Sequence, residues 1–151
     1  PYQWAVTDFS ASPPYLLGQY DPDGMSNGAR LPIVLELTCL TGAFQTPSFG
    51  GTINERLLLA PSGGAIAVWA PTGQGVAHGH DALQRGFYTK LWAAPPLGAR
   101  IGELALAGYA ELFLHGLCCH DAISTYALLG DAIMPARVMP ARPVYLPLAR
   151  H

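Results

Sequence analysis

Two short apolar runs, LPIVLELT over residues 31–38 and AIAVWA over residues 65–70, most narrow the folds open to this chain. Each is bounded by turn-forming residues. Neither shows the strict alternation of apolar and polar residues that marks a strand with one wet face. Both fall short of the roughly 18 apolar residues that could cross a bilayer, so no membrane span is expected. A continuous run of this length reads as a strand covered on both faces, as in a parallel sheet packed between helices. Pro32 fits only at the start of the first strand, because a proline removes a ladder donor.

The segments between and after these runs supply the helices. QTPSFGGT, residues 45–52, is a loop, and Thr52 with Glu55 three residues later is a capping-box signature opening a helix through INERLLLA. Pro61 to Gly64 end that helix. The glycine-rich loop PTGQGVAHG follows the second strand. Asp81 stands where it can cap a second helix, ALQRGFYTKLWA, whose buried face is marked by Leu83, Phe87 and Leu91. A third helix is predicted from about Ile101 to His115, with Gly116 as its C-terminal cap. TYALLGD, residues 125–131, reads as a third strand with Gly130 and Asp131 in the turn after it. The order strand, helix, strand, helix, helix, strand argues for an α/β sandwich with a parallel sheet. The working edge of such a sheet lies at the carboxyl ends of its strands. Cys39, the Pro71–Gly79 loop and Asp131 are expected there. Residues 1–30, rich in Pro, Gly, Ser and Asp, read as an irregular surface segment. Residues 31–139 form the core, and the prolines beyond Pro135 favour an extended tail over 140–151.

Composition excludes some functions. Apolar residues make up 50% of the 151 and charged residues only 12%, which fits either a heavily buried α/β core or a piece of a larger body. The net charge is −2, Lys90 is the single lysine and the arginines are scattered, so a nucleic-acid partner is not expected. The opening PYQWAVTDFS lacks the shape of a signal peptide and an initiator methionine, and suggests a start partway through a longer chain. Three cysteines, an odd number, do not make a disulfide scaffold. Cys118 and Cys119 are neighbours, with Cα atoms about 3.8 Å apart, too close for ordinary disulfide geometry.

Cys39 closes the first strand, and two readings of it stand open. It is either a small buried thiol or a nucleophile presented at a strand end, in which case a histidine base must come from elsewhere in the sequence. His78-Gly79-His80-Asp81 offers three readings: two imidazoles sharing a metal but lacking a third ligand, His80 as base for Cys39, or Asp81 as a helix cap with His80 lining a loop beside the pocket. In HGLCCHD, residues 115–121, four ligands stand too close in sequence to form a tetrahedron, and a helix end followed by a buried cysteine pair is the expectation. PTGQG lacks the Lys-Ser/Thr of a phosphate-binding loop. The strand end and the glycine loop, whose glycines permit close backbone approach, nominate Thr38, Gly42, Thr72, Gly73, Gly75 and His80 as substrate contacts.

LTCLTGAF, followed in order by NERLLLAPSGGAIAVWAPTG, GHDALQRGFY and YALLGD, resembles the gingipain-type cysteine peptidases, peptidase family C25 of the caspase-like group, over roughly residues 1–139. The resemblance implies a caspase-like three-layer sandwich with a mostly parallel sheet whose N-terminal strands lie outside this sequence. It also implies a cysteine endopeptidase with Cys39 as nucleophile, no metal or organic cofactor, and a secreted or cell-surface location. The family's catalytic histidine sits in a Gly-His-Gly motif shortly before the cysteine. No histidine precedes Cys39 here, and PYQWA resembles the stretch that directly follows that motif. The base is therefore expected upstream of residue 1. The implied partners are a peptide or protein substrate and the upstream half of the same domain. The 151 residues alone are expected to be inactive. Without the strand that ends in the histidine, LPIVLEL is expected to expose an unpaired edge guarded only by Glu36. The alternative is a catalytically inactive caspase-like module used in binding or secretion.

Overall fold

The computed structural model describes residues 17–46, 50–75, 77–94 and 98–137. A three-stranded sheet runs through its centre in the order β1 (Ile33–Leu35), β2 (Ala67–Pro71), β3 (Tyr126–Gly130). β1 and β2 are parallel, with Ile33 opposite Ala67 and Leu35 opposite Trp69. β2 and β3 are antiparallel, with Ala67 opposite Gly130 and Pro71 opposite Tyr126. An antiparallel edge strand on an otherwise parallel sheet is a common arrangement of α/β folds. Its consequence here is a correction. Asp131 follows the end of β3 and lies beside the start of β2, at the opposite end of the sheet from Cys39. Tyr126, at the start of β3, takes its place on the Cys39 edge.

Each face of the sheet carries a helical layer. On one, helix α1 (Ile53–Leu59) packs Ile53 and Leu57 against Val68, Ala70 and the half-buried Val34. The capping box is present as read: the Thr52 hydroxyl accepts from the Glu55 amide, and the Glu55 carboxylate accepts from the Thr52 amide at 2.7 Å. Gly64 turns the chain from α1 into β2 at φ +91°, where a Cβ would fall 2.0 Å from the Leu57 carbonyl oxygen, so only glycine fits.

On the other face, helices α2 (Ala77–Ala93) and α3 (Ile101–His115) cover Trp69, which is fully buried. Leu83 and Phe87 are buried and Leu91 packs beside them, as the periodicity requires. The two helices cross closely at Gly86 and Gly108. A Cβ on Gly86 would lie 2.3 Å from the Ala107 carbonyl oxygen, and one on Gly108 would lie 2.3 Å from the Trp69 ring. Phe87 stacks on the indole, while Tyr109 and Tyr126 meet it edge-on with centroids 5.2 and 5.3 Å away. The layers are thus α1, sheet, and α2 with α3, the three-layer arrangement expected.

Four details depart from the sequence reading. α2 begins at Ala77, so Asp81 is an exposed residue inside the helix rather than its cap. A short helix, α4 (Ala122–Thr125), leads into β3. β1 is only three residues long and half-buried on both faces, because no strand covers its outer edge among the described residues. Glu36, expected to guard that edge, is fully buried instead. The extended tail expected over 140–151 lies outside the described residues, as do residues 1–16 of the irregular segment. Its described part contains the 3-10 turn Asp21–Gly24.

Candidate active site

β1 ends at Leu35, but its backbone continues toward Cys39 under control. The Glu36 amide still donates to the Trp69 carbonyl at 3.0 Å. The next two carbonyls are then taken by side chains from other elements. The Tyr126 hydroxyl donates to the Glu36 carbonyl at 2.9 Å, and His80 Nδ1 lies 2.9 Å from the Leu37 carbonyl. A carbonyl can only accept, so Nδ1 carries a proton and donates it. Immediately after Cys39, Leu40 takes φ +62°, in a left-handed region that a branched side chain seldom occupies. That sharp turn is pinned to the β2–α2 loop: the Leu40 amide donates to the Gly73 carbonyl and the Gly42 amide to the Pro71 carbonyl, each at 3.0 Å.

The half-buried thiol therefore stands at the carboxyl end of β1 and faces the loop after β2. Its sulfur lies 3.4 Å from both the amide nitrogen and the carbonyl oxygen of Gly75. Gly75 cannot carry a side chain here, since a Cβ would fall 2.4 Å from His80 Nε2. His80 is buried in the first turns of α2, edge-on to the Tyr126 ring at 5.5 Å. It is packed beneath the loop rather than lining it.

The other nominated residues gather at the same edge in different roles. Thr38 is half-buried directly before the thiol. Gly42 is buried, and a Cβ there would crowd Asn54 Nδ2 at 3.1 Å and the Ala70 and Pro71 carbonyls at 3.3 Å. Thr72 is tied to the end of α4, its amide and hydroxyl both donating to the Thr125 carbonyl at 2.7 Å. Gly73 rests against the Thr125 methyl group. Thr72 and Gly73 thus shape the loop, yet they are half-buried like Thr38, Cys39 and Gly75, and Gln74 is its exposed residue.

A second group of polar residues lies beneath this edge and was not nominated from the sequence. Glu36, Thr41 and Asn54 are all buried, at 0, 2 and 0% exposure. Burial pushes the Glu36 carboxyl up to about 7, and Thr41 and Asn54 pull it back only in part. Neither reaches the carboxylate with hydrogen-bond geometry. Burial also raises the Tyr126 phenol, with the Cys39 sulfur, the Glu36 carboxylate and Tyr109 adding to the shift. The signal for Glu36 was in the sequence: one acid within an apolar run, in the same two-residue phase as Val34.

Cys118 and Cys119 form a disulfide between adjacent residues, contrary to the sequence expectation. Cys119 has φ +71°, and its β-carbon abuts Gly79. The pair is not buried: Cys118 is exposed and Cys119 half-buried. Cys39 is the one free thiol.

The model of peptidase family C25 matches residues 1–137. The chain belongs to peptidase family C25. No curated protein matches it. Two solved structures share the fold of this C25 chain. One is the complex of the pro- and mature domains of RgpB from Porphyromonas gingivalis, with TM-score 0.73 and 17% identity over 93% of this chain. The other is the Arg-specific cysteine proteinase gingipain R, with TM-score 0.65 and 19% identity over 91% of it. The chain spans about a third of the length of each, 33% and 32%.

Proposed function

We propose that this C25 chain is the nucleophile-bearing part of a cysteine endopeptidase and that Cys39 is the nucleophile. The supporting observation is the presentation of its sulfur: only part-buried, at the carboxyl end of a parallel strand, after which the chain turns sharply. In this reading the Cys39 thiolate attacks the scissile carbonyl carbon, and the carbonyl π electrons move onto its oxygen. The tetrahedral adduct collapses to a thioester on Cys39, and the amine leaves with a proton from a histidine upstream of residue 1. Water, deprotonated by the same histidine, then releases the acyl group and restores the thiol. The Cys39 amide is one donor to the oxyanion. Thr38, Thr72, Gly73 and Gly75 border the substrate, and the buried Gly42 and His80 support that border from below.

His80 is not the base in this reading. Its Nδ1 is committed to Leu37, and among the described residues its Nε2 makes no hydrogen bond, so it is not paired with the thiol. The upstream half of the domain would pair with β1 and supply the histidine, and a secreted or cell-surface location follows from the kinship.

The test is peptide hydrolysis by the full-length protein. Cys39→Ala is expected to abolish turnover, with a loss of at least about a thousandfold, while His80→Asn retains it. Hydrolysis surviving Cys39→Ala would overturn the proposal.

A further inference from the structure

Glu36 and Leu37, separated from the thiol by Thr38, are held in a way that no feature of the strand itself explains. Past the end of β1, no backbone donor among the described residues meets the carbonyls of Glu36 and Leu37. Each is met by a buried side chain: the Tyr126 hydroxyl from the start of β3 at 2.9 Å, and His80 Nδ1 from α2 at 2.9 Å. These two side chains also touch each other edge-on. His80 reaches the other side of the thiol as well, because its Nε2 edge packs on Gly75, whose amide and carbonyl flank the Cys39 sulfur. One imidazole thus bears on both walls of the slot that holds the nucleophile. It does so as a 5% exposed group with an unpartnered nitrogen, an arrangement that stability alone does not favour.

We infer that His80 and Tyr126 are positioning residues, a clasp that fixes Cys39 through the backbone preceding it and through Gly75. Misplacing a reacting atom by about 1 Å can cost on the order of a hundredfold in rate. The free Leu37 carbonyl would otherwise let the segment relax the strained Leu40 turn. His80→Ala removes both contacts. His80→Asn keeps a donor at the Nδ1 position and loses the Nε2 edge. Tyr126→Phe removes one hydroxyl while preserving the ring.

The experiment uses the full-length protein and two readouts. The first is hydrogen exchange at the Leu40 amide, which is bonded to Gly73 and reports the clasp without requiring activity. The second is the steady-state kcat and KM for a peptide substrate, which rests on the proposed function. His80→Ala is expected to speed Leu40 exchange by about tenfold or more and to lower kcat by about tenfold or more, with KM changed by less than about threefold. His80→Asn should restore most of both, and Tyr126→Phe should show a smaller change in the same direction. Unchanged Leu40 exchange in a cooperatively folded His80→Ala protein would overturn the inference. So would an Asn variant no better than Ala, or a fall in unfolding midpoint with kcat intact. If His80→Ala does not fold, Tyr126→Phe decides on the same readouts. If the wild-type protein cleaves no peptide while Leu40 exchange responds as stated, the clasp stands and the peptidase reading falls.

Discussion

The two faces of the central sheet solve the same problem differently. On the Trp69 face, under α2 and α3, the polar atoms around the indole are paired with one another, while the buried His80 Nε2 at its margin has no partner among the described residues. The indole Nε1 donates to the Tyr109 hydroxyl at 3.0 Å, and that hydroxyl donates to the Tyr126 carbonyl at 3.1 Å. On the Val68 face, under α1, a carboxylic acid, a hydroxyl and an amide are buried together without hydrogen-bond geometry between them. A satisfied network specifies one packing, whereas an unsatisfied one costs stability and marks a place where something other than stability is served. The second face lies beneath the turn that carries Cys39. The difference therefore separates paired polar atoms around the indole from a buried titratable carboxyl beneath the Cys39 turn.

The largest expected effect is on the first face. Trp69→Ala leaves a cavity where three aromatic rings met and takes from the Tyr109 hydroxyl one of its two partners. A loss of about 3–5 kcal/mol is expected in urea unfolding of the full-length protein. A loss below about 1 kcal/mol would mean that the aromatic cluster is not the structural centre of this layer.

Glu36→Gln probes the second face, and its effect depends on pH. In the unfolded chain the Glu36 carboxyl ionises near 4.5, and in the fold near 7. Between those values the folded chain holds the extra proton. The contribution of Glu36 is thus fully present below about pH 4.5, falls as pH rises, and is lost above about pH 7. The loss is on the order of 3 kcal/mol. Gln at this position should flatten that slope and leave the variant more stable than the parent at pH 8. Parallel stability curves for the two proteins would show that Glu36 ionises normally in the fold.

Gly108→Ala comes next. Its methyl group would meet the Trp69 ring and the Leu83 carbonyl, so the α2–α3 crossing must open, at about 1–3 kcal/mol. Smallest is Tyr109→Phe, which removes two hydrogen bonds in a half-buried site and is expected to cost about 1 kcal/mol by thermal unfolding.

How much of this was readable beforehand depends on which signals were local. The Thr52–Glu55 cap, the buried stripe of α2 and the span of α3 follow from spacing along the chain and appear as read. Strand direction is not local. TYALLGD reads identically whether parallel or antiparallel, and the reversal of β3 exchanges Asp131 for Tyr126 at the working edge. Glu36 was visible as an oddity, but an acid on an exposed edge and an acid buried under α1 are written alike until the position of α1 is known. The start of α2 was misplaced because Asp81 offers a convincing cap although the helix had already begun. His80 was singled out for its chemistry, while its bond to Leu37, 43 residues earlier, depends on tertiary contact. The adjacent disulfide ran against the general geometric rule.

The measurement that most directly tests the role given to Cys39 is mass spectrometry of the full-length protein after reaction with a peptidyl chloromethyl ketone. One adduct per chain is predicted, located on Cys39, formed in step with loss of peptide hydrolysis and absent in Cys39→Ala. An adduct elsewhere, or hydrolysis that persists after Cys39 is fully modified, would contradict it.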